Sequence, residues 1–261
     1  MDIRAWNRDA WNRYVEAGNQ WTIPVSDKVI AKARQGQWEI VLTPTKPVPK
    51  PWLGELVGAE VLCLASGGGQ QGPILAAAGA KVTIFDNSPK QLAQDASVAA
   101  KFGLDLRTVE GDMRELSALG NQTFDLIVHP CSNCFVPEIQ PVWNEAYRVL
   151  KPGGVLLSGF TSPVRFLFHE DRPKETGVLE VMYSLPFSDL TSLNEEDLQK
   201  YIDAGEALQF GHTLEAQIGG QLQAGFVLVG FYEDGYPDAT EDLLTKFTPS
   251  FIATRAVKPS P

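Results

Sequence analysis

Short apolar runs alternate with helical segments through the middle of the chain. The runs are VLCLA, KVTIF, LRTV, FDLIVH and VLLSGF, between residues 61 and 160. This alternation is typical of βαβ units, whose strands pair in parallel. After the second run, Ser88 as N-cap, Pro89 at the first helical position and Gly103 past the end predict a capped helix. The pattern therefore predicts an α/β, Rossmann-like sheet.

The alternation lapses after the fifth run and returns near residue 212. We expect residues 163–210 to be an insertion after strand 5, with an extended pair of strands over 178–187 and a helix over 194–205. A helix over 212–226 and two strands, FVLVGFY and FIATRAV, are predicted to follow. The segment that joins these two strands is too short for a comfortable parallel crossover, which favours an antiparallel final strand.

The first fifty residues are rich in tryptophan and end in the proline-rich stretch TPTKPVPKPW. The tryptophans are Trp6, Trp11, Trp21 and Trp38. We expect an N-terminal helical arm and connector over residues 1–55, and a main domain over residues 56–261 in which the insertion is a candidate substrate cap. Because large aromatic side chains need burial, the arm is either a lid over the site or a structural arm packed on the helices.

Composition narrows the possible partners. The formal net charge is −10 and there is no basic cluster for phosphate contacts, which argues against a nucleic-acid partner. No apolar run reaches the ~20 residues of a membrane span, and the N-terminal sequence lacks the apolar core of a signal peptide. Three cysteines are too few for a disulfide framework. We therefore expect a cytoplasmic protein with reduced thiols and no membrane contact.

The segment VLCLASGGGQQG runs from a buried strand through a glycine-rich turn into a helix. Glycines let the backbone approach a ligand closely, and the helix N-terminus favours negative charge. Gly67, Gly69 and Gly72 also satisfy the G-x-G-x-x-G dinucleotide pattern. Asp86 ends the next strand, where its carboxylate can accept hydrogen bonds from ribose hydroxyls. The turn predicts a nucleoside cofactor without choosing between a nicotinamide dinucleotide and S-adenosylmethionine.

The third strand favours the second cofactor. The stretch EGDM places Asp112 just past the strand end, where its carboxylate can accept from an adenine amino group. With VLCLASGGG, FDNSP, EGDM, FDLIVHP and LKPGG in this order, the chain resembles the class I S-adenosylmethionine-dependent methyltransferases. The segments WTIPVS, TPTKPVP and IGGQLQAGF further resemble a bacterial subgroup of that family.

The resemblance implies a seven-stranded sheet with an antiparallel final strand, and S-adenosylmethionine as the cofactor. It places the methionine over Ala65 to Gly69, the ribose at Asp86 and the adenine near Asp112 and Met113. The expected cofactor contacts are Ala65, Ser66, Gly67, Gly69, Gln71, Asp86, Asn87, Ser88, Leu92, Gly111, Asp112, Met113 and Pro130.

Two positions in and after the first strand depart from the family pattern. Cys63 stands where an acidic residue is usual, and Ala65 stands where a glycine opens the loop. We therefore expect the methionine end of the cofactor to be held partly by other groups of the loop, Ser66, Gln70 or Gln71.

The stretch HPCSNCF follows the fourth strand, where the family places the donor methyl and the nucleophile. We expect Cys131 and Asn133 on the substrate side and His129 as the candidate general base, ahead of His169 and His212. A Cys-x-x-Cys pair without further ligands does not make a structural zinc site, so no metal is expected. The Asp/Asn-Pro-Pro-aromatic signature of many amino-group methyltransferases is absent, which also argues against nucleic-acid base methylation.

The leading hypothesis is an S-adenosylmethionine-dependent methyltransferase that acts on a small-molecule acceptor. The alternatives are a nicotinamide-dependent oxidoreductase built on the same loop, and a non-catalytic cofactor-binding protein of the same fold.

Overall fold

The computed structural model describes residues 1–260, apart from the side chain of Lys174. The helices are α1 (Ile3–Ala17), α2 (Asp27–Ala33), α3 (Lys50–Leu53), α4 (Gln71–Ala77), α5 (Pro89–Phe102), α6 (Gln140–Val149), α7 (Arg172–Thr176), α8 (Asp189–Ser192), α9 (Glu195–Ala204) and α10 (Gly220–Gln223). The strands are β1 (Glu60–Leu64), β2 (Lys81–Asp86), β3 (Leu106–Glu110), β4 (Phe124–His129), β5 (Leu150–Thr161), β6 (Phe187–Ser188), β7 (Phe210–Gly211), β8 (Val227–Asp234) and β9 (Phe251–Val257).

Seven strands form one sheet in the order β3-β2-β1-β4-β5-β9-β8. Strands β1 to β5 pair in parallel, and β9 pairs antiparallel with both β5 and β8. Each of the seven predicted apolar runs overlaps one of these strands. The predicted Rossmann-like sheet with an antiparallel final strand is confirmed.

Helix α5 begins and ends where the sequence predicts. The Ser88 Oγ accepts a hydrogen bond from the backbone N–H of Gln91 at 3.1 Å, which satisfies one of the free donors of the first turn. Gly103 ends the helix with φ near 59°, a left-handed conformation that glycine adopts without steric cost. These two caps fix α5 directly behind Asp86, the last residue of β2.

The core has two parts, one on each face of the sheet. Alternate residues of β1 point to opposite faces, so that Cys63 belongs to one buried cluster and Leu64 to the other. The connector residues Ile40 and Leu42 belong to the first cluster and are buried. The connector thus contributes to this part of the core, whereas α1 contributes no residue to either cluster. The division at residue 55 stays a prediction.

The insertion after β5 contains α7, β6, α8, α9 and β7. The predicted helix over 194–205 is confirmed as α9, with Asn194 as its N-cap and Gly205 past its end. The predicted pair of strands over 178–187 is wrong: Val181 forms only an isolated bridge, and β6 pairs instead with β7. Val178 and Val181 are exposed, so no buried face holds this segment in a sheet.

The predicted helix over 212–226 forms as a π-helical turn, Glu215–Gly219, followed by α10. Within residues 1–260, none of the helices combines the length and the apolar character needed to span a bilayer.

Candidate active site

The carboxyl ends of β1 to β5 border a cavity of about 370 Å³. Ligands of open α/β sheets bind at this edge, where consecutive strands end in loops. Eleven of the sixteen predicted site residues line the cavity. They are Ala65, Ser66, Gly67, Gln71, Asp86, Asn87, Gly111, Asp112, Met113, Pro130 and Cys131.

The other five predicted residues lie outside the described lining: Gly69, Ser88, Leu92, His129 and Asn133. Pro24 covers Gly69, since a Cβ at that glycine would lie 2.9 Å from the Pro24 ring. Ser88 and Leu92 are buried, Ser88 as the cap of α5. These residues support the walls from behind.

Two carboxylates hold the glycine-rich loop. The N–H of Gly67 donates to Asp86 Oδ2 at 2.9 Å, and the N–H of Gly68 donates to Asp95 Oδ2 at 2.9 Å. A side chain at Gly67 is excluded because its Cβ would lie 2.7 Å from the Cβ of Gln91. The loop therefore has one backbone path, and its glycines are required for close packing against α5.

Asp86 is bound to the backbone through both of its oxygens, because Oδ1 accepts from the N–H of Ser88 at 2.9 Å. Burial raises the pKa of Asp86, and the hydrogen bonds from Ser88 and Gly67 oppose that shift. Each carboxylate oxygen can accept a second hydrogen bond. A ribose hydroxyl in the cavity thus fits a carboxylate that is already oriented.

Asp112 is paired within the chain. Its oxygens accept from Arg114, with Nη2 at 2.7 Å from Oδ2 and Nε at 3.1 Å from Oδ1. Burial by itself would raise the pKa of Asp112, but the hydrogen bonds from Arg114 outweigh it and lower the pKa. Arg114 therefore keeps a charged carboxylate at the β3 end of the cavity.

Helix α1 covers the cavity and contributes Ile3, Arg4, Asn7 and Trp11 to its lining. On the β2 side, Arg4 Nε donates to Asn87 Oδ1 at 3.0 Å, and Asn87 Nδ2 donates back to the Arg4 carbonyl at 2.9 Å. On the other side, Asn7 Nδ2 donates to the carbonyl of Leu208 at 3.0 Å. The helix thus bridges the predicted ribose site and the end of the insertion.

The two glutamines of the loop bind the arm. Gln70 Nε2 donates to the carbonyl of Ile23 at 3.1 Å, and Gln71 Oε1 accepts from the N–H of Val41 at 3.2 Å. Both side chains had been expected at the methionine end of the cofactor. Both glutamines also line the cavity, and their predicted contact with the cofactor stays a prediction.

Ala65, one of the two departures from the family pattern, lies in the left-handed region with φ near 47°. That conformation places the Cβ of an L-residue close to the following carbonyl oxygen, which is why glycine is usual there. The N–H of Ala65 donates to the Phe85 carbonyl at 2.7 Å and fixes this turn.

His129 is fully buried behind the cavity wall. Its Nδ1 lies 2.9 Å from the Leu64 carbonyl and its Nε2 lies 2.6 Å from Asn133 Oδ1. Burial lowers the pKa of His129. Asn133 in turn donates to Gln217 Oε1 at 2.7 Å. The described lining of the cavity contains no histidine, so the geometry favours a supporting role, and the catalytic role of His129 stays a prediction.

Cys131 and Cys134 both line the cavity after β4. Burial raises the pKa of Cys131 well above its ordinary value and raises that of Cys134 to about 12. Both thiols are therefore protonated near neutral pH. Across residues 1–260, no three His, Cys, Asp or Glu side chains come together as potential metal ligands.

Sequence reasoning missed several residues that line the cavity beyond β4. Thr161 ends β5, Arg165 follows it, Gln209 lies near the end of the insertion, and Tyr236 lies between β8 and β9. These positions carry no turn or cap signal, and only the fold brings them together. Gln91 was missed at the cofactor side, although its place on the buried face of α5 follows from helical periodicity.

Known proteins resemble the chain at two levels. The Methyltransferase domain family matches residues 62–158. A Bacillus subtilis (strain 168) protein described as an uncharacterized methyltransferase, YbaJ, is 50% identical over 256 residues, which cover 97% of this chain and 98% of the relative. A solved S-adenosylmethionine dependent methyltransferase from Mesorhizobium loti has a TM-score of 0.58 at 18% identity, covering 80% of this chain and 94% of that one.

A second solved structure extends the match in fold to nearly the full chain. The 1,6-didemethyltoxoflavin-N1-methyltransferase of Burkholderia thailandensis, solved with 1,6-didemethyltoxoflavin and S-adenosylhomocysteine, has a TM-score of 0.59 at 17% identity. It covers 99% of this chain and 90% of its own. Similarity at such identities is similarity of fold, whereas the Bacillus relative matches in sequence from end to end.

Proposed function

Because the chain belongs to the class I S-adenosylmethionine-dependent methyltransferases, we propose that it transfers a methyl group to a small-molecule acceptor bound in the cavity beside the cofactor. The observation that carries this proposal is the size of the site and its partial cover by α1. The cavity is about 370 Å³ and α1 covers it, which suits a small ligand better than a macromolecule. Family membership sets aside both the nicotinamide-dependent alternative and the non-catalytic one.

The strand order supports a position for each part of the cofactor. Asp112 follows β3, Asp86 ends β2, the glycine-rich loop follows β1, and Cys131 follows β4. Since β3, β2, β1 and β4 are neighbours, the adenine, ribose, methionine and methyl positions are expected to follow one another along the sheet edge. We assign Asp112 with Met113 to adenine, Asp86 to ribose and the loop to methionine.

When bound, S-adenosylmethionine supplies an electrophilic methyl group on its sulfonium. The chain contributes enclosure and orientation, which account for most of the rate in an in-line displacement. Pro130 and Cys131 form the wall after β4, and α1 excludes water above it. Because a thiol is a poor nucleophile until it loses its proton, the raised pKa values of Cys131 and Cys134 keep these side chains from competing with the acceptor.

We further propose that α1 is a lid and that the insertion, residues 163–210, is a substrate cap. In support, α1 lines the cavity while contributing few side chains to the core. Arg165 and Glu170, near the start of the insertion, and Gln209, near its end, line the same cavity.

Calorimetry with S-adenosylhomocysteine tests the cofactor assignment. Asp86→Ala is expected to weaken binding by about 1.5 to 3 kcal/mol, because charge-assisted hydrogen bonds to the ribose are lost. Asp125→Ala is the matched control. Asp125 lies near the amino end of β4, at the edge of the sheet away from the cavity, and pairs with Lys151. An unchanged dissociation constant in Asp86→Ala removes this residue from the ribose role.

Methyl transfer itself is followed with S-adenosylmethionine labelled on its methyl group, incubated with fractionated cell extract. Label is expected in the small-molecule fraction. Label that enters only protein or nucleic acid contradicts the proposed acceptor class, even if the cofactor binds as assigned.

A further inference from the structure

Arg165 is a half-buried arginine whose donors the chain does not use. It lies in the 3₁₀ turn Pro163–Leu167 after β5, lines the cavity, and its side chain is 26% exposed. Its partner within residues 1–260 is Asp242, whose Oδ2 lies 3.5 Å from Nε, and the guanidinium donates no hydrogen bond to a described residue. A guanidinium carries five N–H donors.

The chain treats comparable arginines differently. Arg114 and Arg148 are each 30% exposed, and each donates from Nη2 to a carboxylate oxygen at 2.7 Å. Arg148 donates in addition to the carbonyls of Leu116 and Leu119. No described residue accepts a hydrogen bond from the Arg165 guanidinium, so its donors are left to water or to a ligand in the cavity.

Tyr236 offers a second donor in the same cavity. Its ring packs edge-on against Phe251, with ring centroids 5.5 Å apart, and its hydroxyl makes no hydrogen bond to a described residue. Burial raises the pKa of Tyr236, while the nearby positive charge of Arg165 opposes that shift. The hydroxyl is therefore protonated at neutral pH, and it lies within electrostatic range of the guanidinium.

The position of these donors separates them from the cofactor. Arg165 follows β5, whereas the glycine-rich loop follows β1, and β4 lies between these strands. Two strand spacings put roughly 10 Å between the two strand ends. Glu170 is the one carboxylate among the described lining residues on this side, and it is exposed, so that solvent screens its charge.

We propose that the methyl acceptor carries a carboxylate-like anionic group, and that Arg165 and Tyr236 bind this group. This inference rests on the proposed function, because it assumes that a small molecule is methylated in this cavity. A planar guanidinium matches the two oxygens of a carboxylate. The aromatic side chains of Trp11, Phe135 and Phe251 form an apolar wall for the remainder of the acceptor.

The test compares carboxylic acids with their primary amides on the protein saturated with S-adenosylhomocysteine. The probes are benzoate, 3-phenylpropionate and indole-3-acetate with the matching amides, titrated by ligand-observed NMR. At least one acid is expected to bind more than tenfold tighter than its amide. Arg165→Gln is expected to abolish that preference and Arg165→Lys to restore part of it. Arg172→Gln is the control, because it makes the same charge change in the insertion but outside the cavity lining.

Three results overturn the inference: no acid preferred over its amide, a preference that persists in Arg165→Gln, or a loss that Arg172→Gln reproduces. If Arg165→Gln weakens the binding of S-adenosylhomocysteine tenfold and leaves the binding of the acids unchanged, the guanidinium binds the cofactor and not the acceptor. If Arg165→Gln fails to fold, Tyr236→Phe is used in its place. This variant is expected to weaken the binding of the preferred acid about three- to tenfold. Failure of the proposed function is distinct, since it appears as labelled macromolecules or absent cofactor binding.

Discussion

The two ends of the cavity treat their polar groups in opposite ways. At the cofactor end, Asp86 accepts from the backbone through both oxygens and Asp112 is held by Arg114. At the acceptor end, Arg165 and Tyr236 line the cavity with donors that no described residue accepts. The chain thus pre-organises the groups that we propose to meet the cofactor, and it leaves the donors that we propose to bind the acceptor without a hydrogen bond to a described residue.

Helix α1 is the element that joins the two ends, and removing it is expected to have the largest effect. Deletion of residues 1–18 is expected to weaken the binding of S-adenosylhomocysteine about sixtyfold, since roughly 100 Å² of ligand surface loses its cover at about 25 cal/mol per Å². Few side chains of α1 are buried, namely Asn7 and Ala10, so the rest of the protein is expected to stay folded. Calorimetry and circular dichroism measure the two quantities.

A matched pair of point variants sharpens this comparison. Trp11 lines the cavity and packs edge-on against Phe135, whereas Trp6 lies outside the lining and donates to the Glu206 carbonyl at 2.8 Å. Trp11→Ala is expected to weaken the binding of the cofactor more than Trp6→Ala does. A truncated protein that has lost its cooperative unfolding transition would show instead that α1 is a structural arm.

The contrast between the two ends also explains what the sequence could predict. The cofactor end is built from loops that directly follow predicted strands, and glycines and caps signal such loops locally. The acceptor end combines α1, the segment after β5 and the connection between β8 and β9, which are distant in sequence. No local rule places Tyr236 beside Arg165, because their proximity depends on β9 inserting between β5 and β8.

Two individual residues show the same limit. The place of His129 after β4 suggested catalysis, but whether a side chain at a strand end faces the cavity or the core depends on the neighbouring layer, here Asn133 and the π-helical turn. Asp95 had a usable signal that was overlooked. It falls on the buried face of α5 with Leu92 and Val98, and an acidic residue on such a face indicates a buried partner.

The next largest effect is expected from substitution of Asp95. It concerns the pH dependence of stability and the cofactor end of the cavity alone. Burial raises the pKa of Asp95 to about 7, so the folded state binds a proton that the unfolded state releases near pH 4. Stability from this group is full below about pH 4 and is lost as the pH rises through about 7. Relative to Asp95→Asn, the free energy of unfolding of the wild type is expected to fall by about 1 to 2 kcal/mol between pH 5 and 7.

Urea denaturation at pH 5, 6 and 7 measures this difference, with Asp203→Asn on the exposed surface of α9 as the control. Parallel pH profiles for wild type and Asp95→Asn would mean that Asp95 stays charged beneath the loop. A change in the preference for acid probes over amides in Asp95→Asn would contradict the separation of the two ends, because Asp95 holds the glycine-rich loop through the N–H of Gly68 and does not line the cavity.

The smallest effect is expected at Ala65, where the cofactor end departs from its own family. A left-handed conformation costs an L-residue about 1 to 2 kcal/mol, and glycine removes that cost while adding about 0.4 to 1 kcal/mol of unfolded-state entropy. Ala65→Gly is therefore expected to raise the free energy of unfolding by about 0.5 kcal/mol, as measured by urea denaturation. Ala96→Gly, on the exposed face of α5, should lower it by about 0.5 to 1 kcal/mol. If both substitutions destabilise the protein equally, the backbone at Ala65 stores no strain, and the alanine is as suitable there as the usual glycine.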